Sequence, residues 1–280
     1  MKPLMQINAD EKVVEDFGAE WSRFSQAELT AEDRRAMFDS YFDIFVWDKL
    51  PANAMGADIG CGSGRWAVLT APRVGCLHCV DASEAALNVA RGNLRDRTNV
   101  EFHHASVGKL PFTDGSLDFA YSLGVLHHVP DTADALKNVA RILKRGAPLL
   151  LYLYYAFDNR PFLFKLLWRA SDVSRGVISR LPGPLKRGVC DLIAAVVYWP
   201  IARLGMLLDR TGWMPAVWPL SYYRDRSFYV MRTDSLDRFG TRLEHRFTRN
   251  EIADMMTRAG LTNIHFSEKA PYWCAIGYKQ

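Results

Sequence analysis

Apolar residues follow two different periods along this chain, and the places where the period changes divide it. Over residues 31–50, AEDRRAMFDSYFDIFVWDKL, the residues Met37, Phe38, Tyr41, Phe42, Phe45 and Val46 recur at intervals of three and four, which predicts an amphipathic helix ending at Pro51. Short apolar runs then alternate with helical stretches. AMGADIG, GCLHCVD, NVEFHHA, SLDFAYSL and APLLLYLYY read as strands. SGRWAVLTAPR, SEAALNVARGNLR and DTADALKNVARILK read as helices, the last two opened by Ser83 and Asp131. APLLLYLYY shows no alternation, so burial of both its faces is expected. This order predicts a parallel sheet with right-handed crossovers.

The pattern lapses after Tyr155 and resumes at Phe247. FTRNEIADMMTRAGL places Thr248 and Glu251 in capping-box register, and GLTNIHFSE and PYWCAIGYK follow as two short aromatic strands suited to closing a sheet edge. The expected organisation is an N-terminal helical cover over 1–51, one α/β domain over 52–155 and 241–280, and a helical insertion over 156–240.

Composition narrows the class. The chain has 280 residues, 49% of them hydrophobic and 24% charged, enough to bury a sizeable core. MKPLMQINADEKVVEDF has no apolar core of signal-peptide length, so a cytoplasmic location is expected. Cys61, Cys76, Cys79, Cys190 and Cys274 are irregularly spaced. CLHC at 76–79, with His78, has no second pair to complete a zinc site, so reduced thiols and no metal are expected. The net charge of +4 does not argue for nucleic acid. It is unevenly placed, however: residues 156–210 hold nine Lys/Arg and four Asp/Glu in an unusually apolar segment.

The glycine-rich turn DIGCGSGRW, Asp58–Trp66, follows the first strand, where phosphates, dinucleotides or other cofactors can sit. A dinucleotide fold wants GxGxxG, but counting from Gly60 the third glycine would fall at Arg65. A P-loop needs GK[ST], which is absent. The loop is instead Gly60-Cys61-Gly62-Ser63-Gly64, a GxGxG.

This segment resembles motif I of class I S-adenosylmethionine-dependent methyltransferases of the small-molecule type. The resemblance covers residues 52–155 and resumes over 241–280. It implies a Rossmann-like methyltransferase fold: an α/β, mostly parallel sheet with an antiparallel C-terminal edge strand. It also implies S-adenosylmethionine as cofactor. By this resemblance Asp58 orients the methionine end, Gly60, Cys61, Gly62 and Gly64 let the backbone approach, Asp81 of CVDASEAAL accepts both ribose hydroxyls, and Ala82 packs on the adenine. SVGKLPFTDGSLDFAYSLGVLHHVPD resembles the family's later motifs, adding Ala105, Ser106, Ser122, Leu123 and His127 to the cofactor set. Ser106 stands where the family usually has an acid, so the adenine contact is expected to be weaker. FGAEWSRF, Phe17–Phe24, resembles a segment preceding motif I, and Trp21 and Phe24 are candidates to close over the cofactor; the competing reading packs them on the sheet edge.

Methyl transfer needs an acceptor lone pair held in line, and a general base helps where the acceptor is a hydroxyl. His127, His128 and His245 are the candidate bases, whereas His103 and His104 read as structural. Tyr222, Tyr223, Arg224 and Arg246 are candidate acceptor-pocket residues from an aromatic, arginine-rich stretch over 213–246, which can equally be an internal network.

Within the insertion, RPFLFKLLWRASDVSRGVISRLPGPLKRG reads as two basic amphipathic helices about a Pro-Gly turn. VCDLIAAVVYWPIARLGMLLDRTG follows, interrupted by Asp191, Pro200 and Arg203, which argues against a membrane span. The open readings are an apolar acceptor lid, a helix at the membrane surface, or an internal or homodimer contact. Methyl transfer to an oxygen or nitrogen of a small-molecule acceptor, whether a secondary metabolite, a lipid-like molecule or an envelope sugar, is the expected function, with an apolar acceptor favoured. The alternatives are a non-methylating cofactor-binding protein of the same fold and an NAD(P) oxidoreductase.

Overall fold

The computed structural model describes residues 8–24, 29–213, 215 and 218–280, so Met214, Ala216 and Val217 of the WMPAVWPL run lie outside the described residues. The strands are β1 (Met55–Ile59), β2 (Cys76–Asp81), β3 (Val100–His104), β4 (Phe119–Leu123), β5 (Pro148–Tyr152), β6 (Leu261–Phe266) and β7 (Cys274–Lys279). They form one sheet in the order β3-β2-β1-β4-β5-β7-β6. The first five pair in parallel, while β7 runs antiparallel between β5 and β6. All residues of β4 and β5 are buried, matching the unalternating APLLLYLYY pattern.

Local chemistry sets the helices around the sheet. These are α1 (Glu11–Arg23), α2 (Ala31–Tyr41), α3 (Ala67–Thr70), α4 (Glu84–Asn93) and α5 (Thr132–Arg141), with α6–α9 in the insertion and α10 (Arg249–Arg258) after it. Ser83 caps α4 and Asp131 caps α5. At α10 the Thr248 side chain accepts from the Glu251 N–H while Glu251 reaches back to the Thr248 N–H. In α5, Thr132, Ala135, Leu136, Val139 and Ala140 are buried, the spacing of one helical face against the core.

The helix expected over 31–50 stops at Tyr41. Phe42 stacks on Phe38 (4.2 Å) and Trp47 (5.4 Å) and meets Tyr121 of β4 edge-on (5.2 Å). A compact aromatic turn therefore replaces the next helical turns. Periodicity had marked the right residues as buried, but tertiary packing chose their backbone.

The chain forms two compact units. One comprises Met1–Gln26, Arg34–Asp158 and Leu243–Gln280, so it takes in the sheet, and the other comprises Ala27–Asp33 and Asn159–Arg242. The second unit is helical: α6 (Phe162–Ile178), α7 (Gly183–Ile193), α8 (Trp199–Arg210) and α9 (Phe228–Gly240). A π turn over Ala194–Tyr198 joins α7 to α8, making one unbroken helix, Gly183–Arg210. Pro200 does not break it. Its ring would clash with the carbonyl of Val196 in a regular α-helix, and the widened turn removes that clash. Asp191 and Arg203 do not interrupt it either. Asp191 accepts from Arg232 of α9 at 3.2 and 3.3 Å, and Arg203 donates to the carbonyls of Arg224 and Arg226 at 2.7 and 3.0 Å.

Candidate active site

Three positive φ angles shape the turn after β1: 78° at Gly60, 54° at Gly62 and 76° at Gly64. Side chains other than glycine are strained there. A Cβ on Gly60 would also lie 2.4 Å from Val125, and one on Gly62 would lie 2.9 Å from the Trp21 indole. The turn is tied to β2 through Asp81, whose Oδ2 accepts from the Gly62 N–H (2.9 Å) and whose Oδ1 accepts from the Ser83 N–H (2.8 Å). The Ala82 N–H adds a third backbone donor to this carboxylate. Burial raises the Asp81 carboxyl above its ordinary range, opposed by those backbone donors.

Asp58 ends the same strand pair from the other side. It is 1% exposed, and its Oδ2 accepts from the Tyr121 hydroxyl at 3.0 Å. Its Oδ1 is buried with no hydrogen-bond partner among the described residues. Burial pushes the carboxyl up to about 8, with the Tyr121 hydroxyl opposing. An unpartnered buried carboxyl oxygen is expensive unless a ligand completes it.

The three candidate histidines come together beyond β4. His127 and His128 lie in a short 3₁₀ turn, Leu126–His128, with ring centroids 4.0 Å apart. The segment carrying His245 runs beside the end of β5: the His245 N–H donates to the His127 carbonyl (2.9 Å) and the Phe247 N–H to the Tyr154 carbonyl (2.9 Å). Hydrogen bonding distinguishes the two rings. The backbone N–H of Tyr154 can only donate, so His127 Nδ1 accepts (3.3 Å), and the neutral ring carries its proton on Nε2. That Nε2 is buried with no partner among the described residues. The Leu243 carbonyl can only accept, so His128 Nδ1 donates (2.7 Å), and the neutral ring keeps a lone pair on Nε2. Burial first, then His128, Arg246 and His245, hold His127 well below the usual imidazole range, so it is neutral. When neutral, the two rings are therefore opposite tautomers: His127 carries its proton on Nε2, and His128 carries its proton on Nδ1.

One helix covers all of these parts. Along α1, Phe17 meets the His128 ring (4.9 Å), Gly18 leaves room for the Ser83 hydroxyl, which a Cβ would meet at 2.5 Å, and Trp21 lies over Gly62. Asn8 fastens its start: it donates to the Asp131 carbonyl (2.7 Å) and accepts from the Asp131 N–H (2.8 Å).

Residues 57–151 match the family described as "Methyltransferase domain". Over these residues the chain is similar to methyltransferase domains. Curated relatives include an uncharacterised methyltransferase of Bacillus subtilis, 35% identical over 104 residues, 36% of this chain and 41% of that protein. A demethylmenaquinone methyltransferase of Staphylococcus aureus is 33% identical over 111 residues, 36% of this chain and 46% of that protein. The chain thus spans less than half the length of these relatives. Solved structures of similar fold include a putative methyltransferase of Bacillus halodurans, with TM-score 0.51 and 18% identity over 84% of this chain and 73% of that one. Another is a Thermotoga maritima S-adenosylmethionine-dependent methyltransferase described as a possible histamine N-methyltransferase, with TM-score 0.50 and 18% identity over 94% of this chain and all of that one.

Within the methyltransferase domain the other motif residues have definite tasks. The Ala82 carbonyl faces His104 Nε2 (2.9 Å), the Ala105 N–H donates to the Asp81 carbonyl (3.0 Å), and Ser106 is buried at the head of a 3₁₀ turn. The Ser122 hydroxyl donates to the Ile59 carbonyl (2.9 Å), stitching β4 to β1, and Leu123 is buried at the end of β4. Buried Cys61 has its thiol pushed well up, chiefly by Cys79 and burial, so it is no thiolate. Phe24 is buried, with Arg23 over its ring at 5.0 Å.

The pocket candidates separate. Arg246 lies in the methyltransferase unit, over Tyr154 (4.9 Å) and bonded to Glu244 (2.7 Å) and the Tyr155 carbonyl (3.3 Å). Tyr222, Tyr223 and Arg224 belong to the helical unit. There Tyr223 packs on Tyr198 (5.1 Å), Arg226 lies over Tyr222 (5.3 Å), and Arg224 pairs with Asp209 (3.4 Å) and Asp225 (3.0 Å). Arg238 likewise pairs with Asp172 at 3.4 Å and lies over Trp168 at 5.0 Å. These arginines work as an internal network. Sequence reasoning missed Tyr121 and Tyr154; the parallel register Asp58↔Tyr121 is the signal that points to the first.

Proposed function

We propose that the protein transfers the methyl group of S-adenosylmethionine to an oxygen or nitrogen of a small, apolar, lipid-like acceptor. The observation that carries this reading is a glycine turn flanked by two buried acids: Asp58, whose Oδ1 has no partner among the described residues, and Asp81, which accepts from the Gly62 N–H of the turn. They fit the cofactor. Asp58 would take its ammonium, Asp81 its ribose hydroxyls, and the cradle at Gly60–Gly64 admits its backbone-proximal parts without a Cβ in the way. When bound, the cofactor supplies a methyl carbon already activated on a sulfonium, so positioning of the acceptor carries most of the rate. In this reading His127 donates a hydrogen bond from Nε2, and His128 takes the acceptor's proton on Nε2.

Two observations favour an apolar acceptor. The Staphylococcus aureus relative is named for a menaquinone precursor, a lipid quinone. The helical unit also exposes large apolar side chains: Phe162 (77%), Val173 (73%) and Val177 on α6, and Leu192, Val196, Trp199 and Leu207 on the long helix. Among the described residues, that helix is long and apolar enough to cross a membrane by length and composition. With Asp191 and Arg203 engaged inside the unit, we read it as lying on a cytoplasmic membrane surface, apolar face outward.

Transfer of labelled methyl from S-adenosylmethionine into cell extract, fractionated into lipid, aqueous, protein and nucleic-acid pools, tests the reading. Label is expected in the lipid pool, and in His128→Ala it falls at least tenfold with cofactor binding retained. Label confined to protein or nucleic acid would refute the acceptor class. Cofactor binding without any transfer would identify a non-methylating protein of this fold.

A further inference from the structure

We propose a divalent transition-metal site, with zinc as its default occupant, on the edge of the sheet opposite β6. It is formed by His78 of β2 with Glu101 and His103 of β3. In the parallel register His78 lies beside Glu101, and Val80 beside His103, so residues 78, 101 and 103 share one face. Their donor atoms form a small triangle: His78 Nδ1 to His103 Nε2 is 3.0 Å, His78 Nδ1 to Glu101 Oε2 is 3.3 Å, and His103 Nε2 to Glu101 Oε2 is 3.8 Å. Nitrogen and oxygen donors about 2.0–2.1 Å from a tetrahedral zinc are about 3.3–3.4 Å from one another, which this triangle brackets. A cation above its centre therefore needs donor movements of only a few tenths of an ångström.

The surroundings fit a ligand role better than a packing role. Phe112 lies against both rings, 5.0 Å from His78 and 5.2 Å from His103, and so restricts their rotation. His78 is 7% exposed, yet its Nδ1 faces two other donor groups. Cys76 Sγ lies 4.0 Å from His78 Nε2, the other ring nitrogen, and can accept its N–H. That bond selects the tautomer whose Nδ1 lone pair is free for the metal. Cys76, His78 and Glu101 also each offer one donor atom within 4.8 Å of the others, but Cys76 Sγ lies 4.0 Å from His78 Nε2, on the side of the ring away from the nitrogen that faces Glu101 and His103. We therefore place Cys76 as the residue orienting His78, with solvent as the fourth ligand on the exposed Glu101 side.

No redox step is involved. Without metal, one proton sits between His78 and His103. On binding it moves to the other nitrogen of its own ring, leaving both lone pairs to the cation. The site crosslinks edge strand β3 to β2, and β2 ends three residues later at Asp81. Two histidines and one carboxylate with an open position suit zinc, cobalt or nickel better than magnesium or calcium.

The test is direct titration of the full chain, stripped with chelator, using zinc chloride against a chromophoric competitor and cobalt chloride by absorption. One tight equivalent per chain is expected. His103→Ala and Glu101→Gln, both at sites partly open to solvent, should each weaken binding at least tenfold, while Cys76→Ser stays within about threefold. Absence of a tight equivalent, or unchanged binding in both His103→Ala and Glu101→Gln, overturns the site. A thiolate-to-cobalt charge-transfer band that disappears in Cys76→Ser overturns the assignment of the donor set.

Discussion

At the residue scale, Asp58 makes the most specific commitment. Its carboxyl is raised from an ordinary value of 3.8 to about 8 by burial, so the native state holds a proton that the unfolded chain gives up. A raised carboxyl contributes stability fully below the unfolded value, and that contribution is lost as pH climbs from about 4 through about 8. Asp58→Asn keeps an acceptor for Tyr121 and removes the titration. Its melting temperature, relative to the unsubstituted protein, should therefore gain more at pH 8 than at pH 5. A ligand ammonium also favours the ionised carboxyl. S-adenosylmethionine titrations at pH 7 in buffers of different ionisation enthalpy should show proton release in the unsubstituted protein and less in Asp58→Asn, with weaker binding in the variant. Equal release in both would remove Asp58 from the cofactor's charge balance. Its position two before Gly60 was legible in the sequence. The tautomers of His127 and His128 were not, because they depend on the Tyr154 N–H and on the Leu243 carbonyl, 115 positions from His128.

At the element scale, α1 joins the separated motifs. Phe17, Gly18 and Trp21 occupy one helical face and touch the His128 turn, the start of α4 and the glycine loop. Trp21→Ala should weaken cofactor binding about tenfold by calorimetry, from loss of about 1.5–3 kcal/mol of apolar contact shared between loop and ligand, with little change in melting temperature. Gly18→Leu should lower both, since its branched side chain collides with the cap of α4; unchanged affinity in the two variants would reduce α1 to a passive cover. Elements with strong local signals, such as the strands around motif I and the capping box at Thr248, could be read from sequence. The end of α2 could not, because Phe42 and Trp47 trade helical hydrogen bonds for stacking on each other and on Phe38, with Phe42 edge-on to Tyr121 of β4. Nor could the triangle at His78, whose members meet only through the register of β2 and β3.

At the scale of the whole molecule, the proposed membrane placement rests on the apolar side chains that the helical unit exposes. Apolar side chains contribute about 1.5–3 kcal/mol each when fully buried, and basic residues near an anionic surface about 1 kcal/mol each. Insertion should therefore outweigh charge. The protein is expected to sediment with neutral phosphatidylcholine vesicles and only modestly more with phosphatidylglycerol added, whereas Trp199→Ser with Val196→Ser should release it. Binding that vanishes without anionic lipid, or survives the double substitution, contradicts this placement. The π turn at Ala194–Tyr198 adds a geometric consequence. Around a regular α-helix, Cys190 and Ala202 would stand about 120° apart. With one residue taken up by the wide turn they stand about 20° apart, both facing inward. The turn is a phase corrector, and it is a place where this helix can lose a residue without rotating its outer face.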